Sequence, residues 1–328
     1  MTATTDLRPA VWDPPADPSA VDAVATTLGA AGLAVRADDP LARQTTLGVG
    51  GAARCRVEPR NGAELATVLS AVAAYDEASV PMLVLGRGSN LLVGDGGWPG
   101  LVVRLGAGFK WQRREGDEVR AGGGLALPAL AAWTAAEGLA GLEFGAGIPA
   151  SVGGSVRMNA GAHSGSTGDR LVDVDVASTE APEGRTVALA DLGLGYRRSS
   201  LPPRSVVTAA RWCLEVADPA AIRARLDEHR AWRRATQPLR QRNCGSVFTN
   251  PPGDSAGRLV EAAGGKGLRV GSAEISAKHA NFIVVEPGAL AADVRALIAL
   301  VRLRVVEHGG PVLEPEVRLV GRFPDRTP

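Results

Sequence analysis

The spacing of apolar and polar positions predicts short elements interrupted by glycine. Arg54 to Glu58 alternates as a strand does, whereas Asn61 to Tyr75 repeats at helical spacing behind a cap of Asn61 and Glu64. Short apolar strands are predicted at Met82 to Leu85, Leu91 to Val93 and Leu101 to Leu105. Glu118 to Ala121 reads as a strand and Leu127 to Glu137 as a helix. Leu171 to Ser178, Arg185 to Leu189 and Val206 to Val216 alternate as antiparallel strands. Pro219 to Arg234 is an arginine-laden helix with a solvated face, and Leu239 to Gly253 a loop, strand and loop. Helices at Ser255 to Ala263 and Ala289 to Val306 and strands at Asn281 to Val285 and Glu316 to Val320 complete the chain.

This order implies an α+β protein of several modest units. A loose tail with a short helix over Ala20 to Leu33 is expected for residues 1–40. A first domain is expected at 41–217, divided near 105, a second at 218–322, and a tail at 323–328. The boundary follows Asp218-Pro219, which read as a helix start.

The 328 residues carry a net charge of +1, which argues against a general nucleic-acid binder. Three cysteines without C-x-x-C or zinc spacing point to a reduced, cytoplasmic protein with no metal site. The polar N-terminus lacks an apolar signal core. Arg295, Arg302 and Arg304 interrupt the most apolar helix, so no membrane span is expected.

Three segments imitate a dinucleotide fingerprint: Gly48-x-Gly50, Gly86-x-Gly88 and Gly145-x-Gly147-x-x-Ala150. The first two run into strands, not helices, and so fail the Rossmann test. Each is readable as a tight turn that needs positive φ. Together, within a short stretch, they also suit a nest of backbone N–H groups for a pyrophosphate, aided by a helix start near Pro149 to Gly153. Lys266 in Gly264-Gly265-Lys266-Gly267 is no P-loop, because Val260 and Gly267 stand at the wrong places; it reads as a turn.

Several ordered motifs add to this: Thr45 to Gly51, Gly86-Arg87-Gly88-Ser89-Asn90-Leu91-Leu92, Gly147-Ile148-Pro149-Ala150-Ser151-Val152-Gly153-Gly154, Asn159-Ala160-Gly161-Ala162, Gly195-Tyr196-Arg197-Arg198-Ser199, Gly245 to Pro251 and Leu313 to Val317. In this order they resemble the UDP-N-acetylenolpyruvoylglucosamine reductases, the MurB family, over about residues 41–322. The resemblance implies a vanillyl-alcohol-oxidase-type FAD domain of two α+β subdomains and a smaller α+β substrate domain. It implies dissociable FAD, NADPH as co-substrate, UDP-N-acetylglucosamine enolpyruvate as substrate, and a monomer. With no tyrosine between Arg197 and Ser246, the chain resembles the type that lacks an inserted tyrosine loop.

The resemblance assigns FAD contacts to Gly48, Gly50, Gly86, Arg87, Gly88, Ser89, Asn90, Leu91, Gly147, Ile148, Ser151, Val152, Gly153 and Gly154. It assigns catalysis to Arg197, Ser246 and Glu316, and substrate orientation to Tyr196 and Asn250. Arg197 suits a carboxylate and developing negative charge, Ser246 a proton donation, and Glu316 works as a protonated or proton-sharing group. Without the motifs, Arg197 is one surface arginine among many, Ser246 a turn serine and Glu316 the start of a solvated strand. Thr249 stands where relatives often have lysine. Which of Arg233, Arg234, Arg240 and Arg242 meets the diphosphate stays open. His163 reads as a polar loop residue, and His229, His279 and His308 as structural. A sugar or alcohol oxidase on the same fold, or a flavin- or nucleotide-sugar-binding regulator, are the rival readings.

Overall fold

A computed structural model describes residues 7–324. The expected tails at 1–6 and 325–328 lie outside the described residues.

The first module contains α1 (Pro18–Ala30), β1 (Val35–Pro40), β2 (Ala52–Val57), α2 (Gly62–Ala73), β3 (Met82–Val84), β4 (Leu91–Val93) and β5 (Trp98–Val103). Its sheet runs β1-β2-β5-β3, antiparallel only between β1 and β2. Asn61 caps α2 by accepting from the Glu64 N–H at 2.9 Å, as its spacing predicts. Residues 7–40 are not a tail. Val21, Val24 and Leu28 of α1 are fully buried in the first core, and β1 supplies a sheet edge. The Trp12 N–H donates to Leu319 O at 2.9 Å, and the Trp12 ring lies 4.8 Å from Trp98.

The second module contains β6 (Gln112–Glu115), β7 (Glu118–Gly122), α3 (Leu127–Ala136), α4 (Val152–Arg157), β8 (Leu171–Ser178), β9 (Arg185–Ala188), β10 (Ser205–Cys213) and α5 (Pro219–Thr236). Its antiparallel sheet runs β9-β8-β10-β7-β6. The boundary expected near 218 is corrected here. Ile222 and Leu226 of α5 sit in this module's core beside Leu127, Leu130 and Trp212. Asp218-Pro219 does start a helix, but a helix start is local and says nothing of the core its apolar stripe enters. Leu226→Ala should therefore destabilise the second module by about 2 kcal/mol, the low end for a buried leucine, because α5 can settle from its solvent side. Chemical denaturation would measure this, and no change in midpoint would refute the packing.

The third module contains β11 (Arg242–Ser246), α6 (Ala256–Ala262), β12 (Arg269–Val270), β13 (Ala273–Ile275), β14 (Phe282–Val285), α7 (Ala291–Glu307) and β15 (Arg318–Val320). Its sheet runs β11-β14-β13-β12. Val294, Leu297, Ile298, Val301 and Val305 give α7 one buried stripe at helical spacing. Arg302 is buried within it, donating to Leu313 O at 2.9 Å and to Leu7 O at 2.6 Å. No described helix is long and apolar enough to cross a membrane.

Two links position the site. β4 pairs in parallel with β15, and Leu47, Val49 and Leu92 are buried in the third module's core. The first two glycine segments are thus fixed at the seam between the first and third modules.

Candidate active site

The three glycine segments meet. A side-chain carbon on Gly88 would fall 2.7 Å from Thr45 Cα, and one on Gly86 2.5 Å from Ser151 Oγ. Gly48, Gly50 and Gly88 have φ of 74°, 106° and 61°, so the turns need residues free of the left-handed penalty. Thr46 N–H donates to Gly88 O, and Thr46 Oγ1 to Asn243 O at 2.7 Å, tying the first segment to β11.

The backbone N–H groups of Gly86, Arg87, Gly88, Ser89 and Asn90 donate to no acceptor among the described residues. Gly88 is buried, Gly86, Ser89 and Asn90 are half-buried and Arg87 is exposed, and buried backbone donors are nearly always paired. Five successive free donors in a glycine turn make an anion nest of the kind a pyrophosphate fits. Leu91, next along, opens β4 opposite Arg318.

The third segment departs from expectation. The N–H groups of Ile148, Ala150, Val152, Gly153 and Gly154 donate to Gly145 O, Ile148 O, Leu125 O, Gly123 O and Ser151 Oγ. Val152 is buried in the second core, and Ile148 packs against it. α4 therefore begins on donors already engaged by the 123–125 loop and its own Ser151 cap. Gly147, Ile148, Ser151, Val152, Gly153 and Gly154 offer a ligand a close backbone wall, not the N–H cradle their composition suggested. Arg233 lies against Gly147 and Arg242 against Gly48.

Arg197 sits in a tight turn in which Gly195 and Arg198 exchange backbone hydrogen bonds at 3.1 and 3.3 Å. Its φ of 57° is unusual for a side chain of this size. Its Nη2 donates to Gly161 O at 2.7 Å, and its Nε lies 3.0 Å from Glu316 Oε1. Tyr196, 57% exposed, holds its ring 4.9 Å from the guanidinium carbon, so it serves as a platform for Arg197.

Glu316 is fastened by its backbone. Its N–H donates to Val247 O at 2.7 Å, and its carbonyl accepts from Asn90 Nδ2 at 3.1 Å. Burial pushes its carboxyl above the usual carboxylate range, and the opposing pull of Arg197 is weaker. Ser246 precedes Val247 in the chain, so its strand lies directly beside the Glu316 strand. β11 breaks register between Asn243 and Ser246, where Gly245 takes φ 76°. Such a bulge re-aims the next side chain. The Ser246 hydroxyl is half-buried and has no hydrogen-bond partner among the described residues.

Arg197 and Glu316 thus come together from distant stretches, and the Glu316 backbone is bonded to Val247, next to Ser246, and to the Asn90 side chain of the free-donor turn. The Asn250 side chain is engaged within its own loop. Its Oδ1 accepts from Ala256 N–H at 3.0 Å and closes the loop before α6, because an asparagine that close to a helix start satisfies a free donor locally.

Sequence reading missed a histidine pair. His163 and His229 stack at 4.0 Å and 4°, with the Trp232 edge 4.9 Å from His163. Burial lowers the His163 pKa, and His229 and Arg233 lower it further against Glu228. The stack joins the 161–166 hairpin to α5. The two residues are far apart in sequence, so no spacing marked them as partners.

The described residues contain no group of three His, Cys, Asp or Glu suited to a metal. Beside the unpaired donors of residues 86–90 stand a carboxyl and a guanidinium in contact. Residues 53–188 match the family model of an FAD binding domain. Residues 237–320 match that of the UDP-N-acetylenolpyruvoylglucosamine reductase C-terminal domain, which starts after α5. The UDP-N-acetylenolpyruvoylglucosamine reductase of Rubrobacter xylanophilus is 46% identical over 88% of this chain and 96% of its own length. That of Myxococcus xanthus is 43% identical over 89% and 94%. The crystal structure of the Thermus caldophilus reductase, MurB, superposes with a TM-score of 0.76 at 40% identity, covering 88% of this chain and all of that one. With a cofactor domain, a C-terminal domain and nearly full-length relatives all in agreement, the chain belongs to the UDP-N-acetylenolpyruvoylglucosamine reductase family.

Proposed function

We propose that this protein uses NADPH and non-covalent FAD to reduce the enolpyruvyl ether of UDP-N-acetylglucosamine to UDP-N-acetylmuramate. The observation that carries this is the Arg197–Glu316 pair at 3.0 Å, with the Glu316 backbone bonded to Val247 O, next to Ser246, and to the Asn90 side-chain amide.

The five N–H groups of residues 86–90 suit the FAD pyrophosphate, with Gly48 and Gly50 shaping one side and Gly147 to Gly154 another. FAD held there would supply two-electron chemistry, the passage of hydride from NADPH to C3 of the enol ether. Arg197 spreads positive charge where the substrate carboxylate and the charge developing at C2 lie. Its position is set by Glu316, Gly161 and Tyr196 before substrate arrives. Burial shifts the Glu316 carboxyl upward, which favours its neutral form and so lessens repulsion of that charge. Ser246 donates the proton to C2. One hydride at C3 and one proton at C2 complete the reduction.

The test is spectroscopic. The purified protein should show a flavin spectrum that NADPH bleaches anaerobically. Adding UDP-N-acetylglucosamine enolpyruvate should restore the spectrum with formation of UDP-N-acetylmuramate. Turnover driven by oxygen without that substrate, or reduced flavin that the substrate leaves bleached, would overturn the proposal.

A further inference from the structure

We propose that Asn159 is a positioning residue that sets the Arg197 guanidinium against Glu316; this rests on the function proposed above. Asn159 follows α4 and is half-buried. Its Nδ2 donates to Gly195 O at 3.1 Å, and its Oδ1 accepts from Gly168 N–H at 2.9 Å. Gly195 is the first residue of the turn that carries Arg197. Two residues beyond Asn159, Gly161 O accepts from Arg197 Nη2 at 2.7 Å. One three-residue stretch therefore grips Arg197 twice, at the base of its turn and at its guanidinium. Ser199 Oγ, donating to Arg157 O at 2.8 Å, pins the far flank of the turn to the same chain segment.

The grip matters because the turn is strained. Holding a non-glycine residue in the left-handed region costs ~1–2 kcal/mol. Arg197 stays at φ 57° only while its neighbours hold it there. Asn159 has a φ of 39°, which asparagine tolerates better than most residues. Loss of its side chain frees Gly195 O, lets the turn relax and draws the guanidinium away from Glu316. A displacement of about 1 Å at reacting groups can cost ~10²-fold in rate. Besides burial, the Arg197 guanidinium is the charge that bears on the Glu316 carboxyl, and the buried Cys244 thiol lies close enough to feel that carboxyl.

Asn159→Gly removes the side chain while leaving the positive φ unstrained. FAD content and anaerobic bleaching by NADPH should stay within about twofold of the wild type. Reoxidation by UDP-N-acetylglucosamine enolpyruvate should slow roughly 10- to 100-fold, with a raised KM for that substrate. With Arg197 displaced, Glu316 holds its proton to higher pH, so the alkaline limb of reoxidation should move upward. A merely structural role would lower FAD content and leave the limb in place. Asn159→Asp keeps the acceptor for Gly168, loses the donor to Gly195 and sets a carboxylate oxygen against Gly195 O; it decides the matter if the glycine variant does not fold, with at least the same slowing expected. Native reoxidation with an unmoved limb in a variant that retains FAD would overturn the assignment of Asn159 alone. Wild-type protein that the substrate fails to reoxidise would instead remove the function on which it rests.

Discussion

Ser246→Ala should bind FAD and be bleached by NADPH as the wild type is, yet lose substrate-driven reoxidation by ~10²–10⁴-fold, the usual effect of removing a positioned proton donor. The separation of the two half-reactions is the informative part. Ser246 serves the proton that goes to C2 of the substrate, so reduction of the cofactor by NADPH does not need it. Its hydroxyl holds nothing in place among the described residues, so alanine removes one oxygen and leaves the β11–β14 pairing to Phe282 intact. Stopped-flow reoxidation of the pre-reduced variant is the measurement. A native rate would show that the proton reaches C2 from another group.

Arg197→Met should lower the same oxidative step by ~10²–10³-fold, the loss seen when a preorganised charge-stabilising donor is removed. It should also change how stability depends on pH. The Glu316 carboxyl is already raised above its ordinary value by burial, with Arg197 opposing. A carboxyl raised on folding favours the folded state fully below its unfolded pKa, and that benefit is lost as pH rises through the folded pKa. Without the guanidinium the folded pKa climbs further, so the loss extends over a wider pH range. The gap in Tm between wild type and variant should therefore be small near pH 4 and grow toward pH 8. A gap that stays constant over that range would mean that Arg197 does not bear on the Glu316 proton.

Much of the local structure was legible in the chain. The strand over Leu171–Ser178 has the bounds its alternation predicts, and α2 begins behind Asn61 as its cap requires. The Lys266 segment is a turn, with Gly264 and Gly267 at positive φ and Lys266 paired to Glu261. The polar strand β1 was missed because Val35 to Pro40 carries almost no apolar alternation; its pairing with β2 makes it a strand. The Gly147 to Gly154 segment shows the limit of composition. Glycine permits a backbone to approach an anion, but here the N–H groups turn inward to the 123–125 loop.

What the chain determines alone is what a few neighbouring residues decide: where a period of two or of 3.6 runs, which positions demand glycine, and which side chain can cap a helix start. The order of its motifs was enough to mark the family. The tertiary structure decided everything that depends on which surface meets which. It placed α5 in the second core instead of the third, engaged the N–H groups of one glycine segment and left those of another free, stacked His163 on His229, and set the Arg197 turn against Glu316, whose N–H meets Val247 O beside the Ser246 bulge. Those outcomes come from burial and pairing between residues far apart in the chain, and such contacts leave no periodic trace along it.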